Sequence, residues 1–253
     1  MTVKVFDVEG DGSCFFRAIY WGAKKTNLLD KLVSCFGLET QGSRRVLSEN
    51  DFVDQIRGFI AYRLEQAVQS FPFASNNANG NTIMANAKNS NPQSQARVTN
   101  NAAINSIYNT FVTLKSFDRQ TYNMVLRDFP PWYKTAFRYP LRDPQTFFSQ
   151  LAKNMRQRDK WIGQLEFRFI EETLNACSAD VKIVIHTDRI GLPSTLYQHV
   201  FVDGRQLDVV HVYNVNENHY RYLIDDSWLA CNATALQNIS RGRPRRSCRV
   251  AAS

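Results

Sequence analysis

The sequence predicts an α/β (α+β) fold, a small central β-sheet flanked by helices. Three observations predict it. A short β-branched stretch, VKVFDV at residues 3–8, opens the chain with strand-like alternation. The middle carries apolar residues at helical spacing, as in Phe52, Ile56, Phe59, Ile60 and Leu64. The last third is rich in short runs of Val, Ile, Tyr and His that alternate as strands do.

Taken in order, the strand at 3–8 gives way to the turn Glu9-Gly-Asp-Gly12. A helix is predicted from Ser13, a candidate N-cap, to Gly22, a candidate stop. Ser48 is placed to cap a second helix, with Glu49 and Asp51 in its first turn, where acids suit the dipole. This helix is predicted to reach about Ser70. Residues 75–109 change character: eleven asparagines fall between Asn76 and Asn109. So polar a segment buries little surface and reads as an insertion, with a helix near 101–116. Helical spacing returns at Tyr122, Val125, Leu126 and Phe129, then from Pro144 to about Arg158 and from Leu165 to Ala176. Strands are predicted at 181–186, 197–202, 208–215 and 219–224, the last two joined as a hairpin at Asn216–Asn218. The predicted organisation is one domain over 1–232 and a basic, disordered tail over 233–253.

Composition excludes several classes. No run of eighteen apolar residues occurs, and the first residues lack an apolar signal core. Of the formal charge of +8, five charges are the arginines between Ser240 and Ser253, which leaves +3 for the rest. The body is therefore a poor candidate for binding nucleic acid, although the arginine tail suits phosphate. The five cysteines, Cys14, Cys35, Cys177, Cys231 and Cys248, are odd in number and contain no C-x-x-C pair. That argues against a disulfide framework and a structural zinc, and for a reducing intracellular compartment, cytoplasm or nucleus.

The densest chemical signal is Asp11-Gly12-Ser13-Cys14-Phe15-Phe16-Arg17-Ala18. A cysteine in the first turn of a helix gains from the positive end of the dipole, which favours the nucleophilic thiolate. Gly12 and Ser13 are placed to turn backbone N–H groups toward a developing oxyanion. On cysteine content alone, Cys14 reads first as a small buried apolar side chain. A thiolate also needs a base, and the chain has four histidines: His186, His199, His211 and His219. Spacing favours His219, which opens a strand after a turn and so sits at a strand mouth.

These residues resemble a known family. Asp11 to Ala18 resembles the nucleophile motif of the ovarian tumour (OTU) cysteine proteases. Trp161-Ile-Gly-Gln-Leu-Glu166, before the strand VKIVIH, is similar to the family's tryptophan–glycine–glutamate segment. VVHVYNVNENHYRYLI resembles its closing hairpin with a His-Tyr pair. The blocks occur in family order over nearly the whole chain.

The resemblance implies a papain-like OTU fold, no cofactor and no metal. It implies a ubiquitin or ubiquitin-like partner and hydrolysis of the isopeptide bond at that modifier's C-terminus. It makes Cys14 the nucleophile, His219 the base and Asp11 a member of the catalytic set. Trp161 and Glu166 have simpler readings, a core tryptophan and a helix-start carboxylate. In two respects the chain departs from the pattern: Arg221 stands where the family often has the Asn or Asp that orients the histidine, and Cys14 and His219 lie far apart in sequence for the family, an excess for which the asparagine-rich insertion largely accounts. For that task Asp11 ranks first, Asn216 second and Asn218 third. Asp11 has a second reading, as a brace that accepts backbone N–H groups of the loop. The alternatives are an OTU-like peptide-bond (polyprotein) protease and a catalytically decayed ubiquitin-binding protein.

Overall fold

A computed structural model of the chain describes residues 2–38, 47–70, 102–127, 129, 131, 133–161, 164–177, 179–216 and 219–226. The elements form a mixed α/β structure with a five-stranded sheet. By their internal contacts the described residues divide into two units. The first comprises those of Met1–Gly10, Cys14–Ser34 and Ala179–Ser253, the second those of Asp11–Ser13 and Cys35–Ser178.

The first unit is a sheet with one helix on it. Strand β1 (Val3–Phe6) and helix α1 (Cys14–Lys25) come from the N-terminal part. Strands β2 (Val181–Thr187), β3 (His199–Val202), β4 (Arg205–Val215) and β5 (His219–Asp225) come from the last third. The order is β1-β5-β4-β2, with β3 also paired to β4. β1 runs antiparallel to β5, with Phe6 opposite Tyr222. β2 runs parallel to β4, with Ile183 opposite Val210. Val215 faces His219 across the β4–β5 hairpin. Asn216 turns that corner at φ 51°, a conformation asparagine tolerates better than most residues.

Helix α1 lays Phe15, Phe16, Ile19, Tyr20 and Ala23 into the core, where Val210, Val212, Leu223 and Ile224 are also buried. Gly22 does not stop this helix, which continues to Lys25. Its role is close approach: a Cβ there would lie 3.0 Å from Val210 Cγ1 and 3.5 Å from Tyr222 Cβ. The absent side chain lets α1 settle on the sheet.

The second unit is helical. Helix α2 (Leu29–Phe36), which the sequence pattern did not suggest, carries the chain into it at Cys35. Then follow α3 (Glu49–Ser70), α4 (Ala102–Lys115), α5 (Arg119–Leu126), α6 (Tyr133–Ala136), α7 (Pro144–Met155) and α8 (Gln164–Ala176). Ser48 caps α3 as expected: its hydroxyl accepts the Asp51 N–H at 3.2 Å and donates to the Asp51 carboxylate at 2.6 Å. α3 packs along α7 and α4 along α8. Phe111, Phe137 and Phe147 form a buried aromatic row with neighbouring ring centroids 4.8 Å apart. Each such buried ring stabilises the fold by roughly 1.5–3 kcal/mol. Residues 102–109, at the end of the expected insertion, belong to α4 and bury Ala103, Ile104 and Ile107. The rest of that segment and the tail lie outside the described residues.

The cysteine reading needs a correction. Cys35 and Cys177 form a disulfide with Cα atoms 5.5 Å apart, and Cys14 takes no part in a disulfide. The partners lie 142 positions apart, at the ends of α2 and α8. No local spacing could announce that pairing. Among the described residues no helix is long and apolar enough to cross a membrane.

Candidate active site

In the first unit, Cys14 is the first residue of α1 and is buried, with 4 % of its surface exposed. His219 is the first residue of β5, the strand against which α1 packs. The residues that follow them meet: the Phe15 and Tyr220 rings stand edge to face at 4.9 Å. Arg17, on the first turn of α1, is buried and pairs with Glu9 at 3.3 Å. Gly10 runs beside the imidazole, since a Cβ built on it would lie 3.7 Å from both Nδ1 and Cε1 of His219. The segment between β1 and α1 is thus held against α1 at Glu9 and against His219 at Gly10.

The other imidazole nitrogen has a carboxylate. Nε2 of His219 lies 2.6 Å from Oδ1 of Asp7, just past the end of β1. Antiparallel pairing of β1 with β5 places it there: with Phe6 opposite Tyr222, the next residue along β1 comes to the His219 end of β5. Arg221 reaches the same carboxylate, its Nε 3.3 Å from Oδ1 and its Nη2 3.4 Å from Oδ2. The hydrogen bond from His219, the Val8 N–H and the Arg221 charge together hold Asp7 below the usual carboxylate pKa. A carboxylate that stays ionised on Nε2 fixes the ring's tautomer, with the hydrogen on Nε2, and leaves Nδ1 to accept a proton.

Asp7 was not singled out by sequence reasoning, which looked for the orienting group near the nucleophile and after the histidine. Its only local signal is an acid directly after an alternating strand. Arg221, the apparent misfit, points its cation at Asp7. Of the other ranked candidates, Asn216 gives its backbone N–H to the Asp188 carboxylate. Asn218 lies outside the described residues.

The second unit holds the residues that precede Cys14. Oδ1 of Asp11 accepts the Ser13 N–H at 3.0 Å, the bracing contact that was its second reading. The Ser13 hydroxyl donates to the Arg158 carbonyl at 2.8 Å, and Ser13 is fully buried. Gly12 adopts φ +80°, and a Cβ on it would fall 2.5 Å from the Asp159 carbonyl carbon. Only glycine fits there, on backbone conformation and on space alike. Glu166 is buried and accepts a hydrogen bond from the Tyr133 hydroxyl, tying α8 to α6. Trp161 is 38 % exposed, so the expectation of a core tryptophan fails.

The remaining histidines have other surroundings. His211 is buried, with Nε2 2.8 Å from the Tyr197 carbonyl and Nδ1 2.8 Å from Nε2 of His186. A carbonyl only accepts, so His211 carries its hydrogen on Nε2, and its Nδ1 accepts from His186. Burial lowers the His211 pKa to about 4. His199 pairs with Asp208 at 2.8 Å. Among the described residues no three His, Cys, Asp or Glu side chains are grouped to hold a metal ion.

No family model and no curated protein matches the chain. A solved structure that does match is described as the crystal structure of an OTU deubiquitinase in complex with Ub-PA. It is 11 % identical, with a TM-score of 0.39, and the alignment covers 94 % of this chain and 78 % of that one.

Proposed function

We propose that the chain is a cysteine-dependent deubiquitinase of the OTU type, with Cys14 as nucleophile, His219 as base and Asp7 as the group that orients His219. The observation that carries this is the 2.6 Å contact between Asp7 and His219, on the strand packed against the helix that Cys14 opens. A histidine with one nitrogen on a carboxylate and the other on the side of the chain leading to a helix-start thiol suits proton transfer. The choice of ubiquitin rests on the resemblance of the Asp11–Ala18 motif.

In this mechanism Nδ1 of His219 takes the Cys14 proton. The thiolate adds to the carbonyl of the modifier's C-terminal residue. The carbonyl electron pair moves to oxygen, and backbone N–H groups at the start of α1 stabilise that oxyanion. The intermediate then collapses and breaks the C–N bond, and His219 gives its proton to the departing lysine amine. Water, deprotonated by His219, hydrolyses the thioester and restores the thiol. Asp7 remains ionised throughout and steadies the imidazolium. Asp11 serves the catalytic set as a brace, through the Ser13 N–H, and that N–H is therefore not one of the oxyanion's donors.

A ubiquitin suicide probe that reacts with active-site thiols tests the reading. Wild type is expected to form the adduct and Cys14→Ala to form none. Absence of an adduct with folded wild type, or labelling that survives Cys14→Ala, sinks it. A panel of ubiquitin dimers then defines which linkages are cut.

A further inference from the structure

Arg57 lies on α3 one turn from Val53 and from Ala61, and it is as buried as they are, with 1 % of its surface exposed. A guanidinium costs several kcal/mol to bury unless its N–H groups are matched to acceptors. Here its Nε donates to the Ser13 hydroxyl at 3.2 Å. Nη1 donates to the Met155 carbonyl at 3.2 Å. Nη2 is shared among the carbonyls of Gly12 at 2.9 Å, Arg158 at 3.2 Å and Lys160 at 2.6 Å. Part of this is plain architecture: Met155 ends α7, and a cation suits the last carbonyls of a helix. The contacts to Gly12 and Ser13 are not explained that way.

The peptide between Gly12 and Ser13 is held at both ends. Its carbonyl oxygen is on Arg57 and its N–H is on Asp11. A peptide plane bonded on both sides does not flip, and Gly12, at φ +80°, is a residue whose backbone would otherwise turn freely. The next peptide bond leads into Cys14. Were the Gly12 carbonyl released, this peptide could turn and take with it the Ser13–Cys14 peptide, whose N–H opens α1.

We propose that Arg57 is a positioning residue for catalysis: by holding the Gly12 carbonyl and the Ser13 hydroxyl it fixes the backbone that leads into Cys14, and with it the direction of the N–H groups that open α1. The inference rests on the assignment of Cys14 given above.

The experiment compares two reactions of Cys14 in the full chain. Hydrolysis of a fluorogenic ubiquitin C-terminal amide develops an oxyanion. Alkylation by iodoacetamide, followed by mass on the Cys14 peptide, does not, and reports only the thiolate and its base. Arg57→Lys keeps the charge but loses the planar fork. It is expected to lower kcat by about 10- to 100-fold, at or below the lower end of what loss of a whole oxyanion donor costs. KM should change little, and the rate and pH midpoint of alkylation should match wild type. Guanidinium ion added to Arg57→Ala is expected to restore part of kcat. An unchanged kcat in folded Arg57→Lys overturns the proposal, as does a parallel fall in kcat and alkylation. If neither Arg57 variant folds, Ser13→Ala decides in the same way: reduced kcat with unchanged alkylation supports the proposal, and unchanged kcat overturns it. Failure of the Cys14 assignment looks different, because Cys14→Ala would then hydrolyse the substrate as fast as wild type.

Discussion

His211 and His219 belong to adjacent strands of one sheet, and their surroundings have little in common. His211 is 1 % exposed and lies between another imidazole and a backbone carbonyl. Its hydrogen bonds require the neutral ring, and burial drives its pKa to about 4. The His219 side chain is 23 % exposed and faces the Asp7 carboxylate, with Nε2 2.6 Å from Oδ1. The first is a crosspiece between β2 and the strand beside it. The second stands on an ionised carboxylate, which suits the role proposed for it. What separates them is the group opposite Nε2, a carbonyl oxygen in one case and an ionised carboxylate in the other.

The sharpest way to break that contrast is to remove each ring. His219→Ala is expected to lower kcat by about 10²-fold or more with little change in melting temperature, as loss of a general base does. His211→Ala should lose stability and, at temperatures where it stays folded, hydrolyse at a near-normal rate. A folded but inactive His211 variant beside an active His219 variant would reverse the assignment.

The next effect tests the carboxylate. Asp7→Asn keeps the shape and removes the charge, and is expected to lower kcat by roughly 10- to 100-fold. Asp7 is held below its ordinary pKa, chiefly by the His219 hydrogen bond. It therefore stays ionised through mildly acidic pH. The ratio of wild-type to Asp7→Asn rates should hold steady from neutral pH downward and narrow only below about pH 4, where a free aspartate titrates. A ratio that collapses near neutrality would show that Asp7 is not the group involved.

Stability against pH tests His211. Its folded pKa of about 4 lies below the 6.5 of a free histidine, so the unfolded chain binds the proton more readily. Its contribution is fully present above pH 6.5 and is lost as pH falls through about 4, on the order of 3 kcal/mol at 1.36 kcal/mol per pH unit. Denaturant titrations over that range should show the loss in wild type and a flatter profile in His211→Leu. Equal slopes would place the sensitive group elsewhere.

Arg221→Gln should have the smallest effect, a two- to fivefold loss of kcat that high salt reproduces in wild type. Its contacts to Asp7 are long and part-exposed, and such pairs contribute at most about 1 kcal/mol. A loss as large as that of Asp7→Asn would make Arg221 a full partner of the carboxylate.

What could be read in the sequence was what is written locally. The α3 cap at Ser48, the strand runs of the last third and the cysteine at a helix start each depend on neighbours a few positions apart. His219 could be favoured because a strand mouth after a turn is a local feature too. Asp7 could not, since its meaning comes from β1 pairing with β5, and pairing across most of the chain leaves no periodic trace. Arg57 was hidden for the opposite reason. It sits within a helical apolar pattern, where a lone arginine reads as a solvent-facing residue until its acceptors on other segments are seen. Cys35 and Cys177 were missed because odd cysteine counts and spacing rules describe small disulfide frameworks, not one bond across a helical unit.

The pairing of β1 with β5 also sets the order of events during synthesis. Asp7 and His219 are 212 positions apart. A ribosome adding about 5–20 residues per second needs roughly 10–40 s to pass from one to the other. During that interval Cys14 has left the peptidyl-transferase centre while the imidazole proposed to activate it has not been made. Among the described residues β5 is also the only strand that pairs with β1, so the nascent N-terminal strand waits unpartnered for the same time. The activity proposed above would then be silent on the translating ribosome and arise only when β5 arrives.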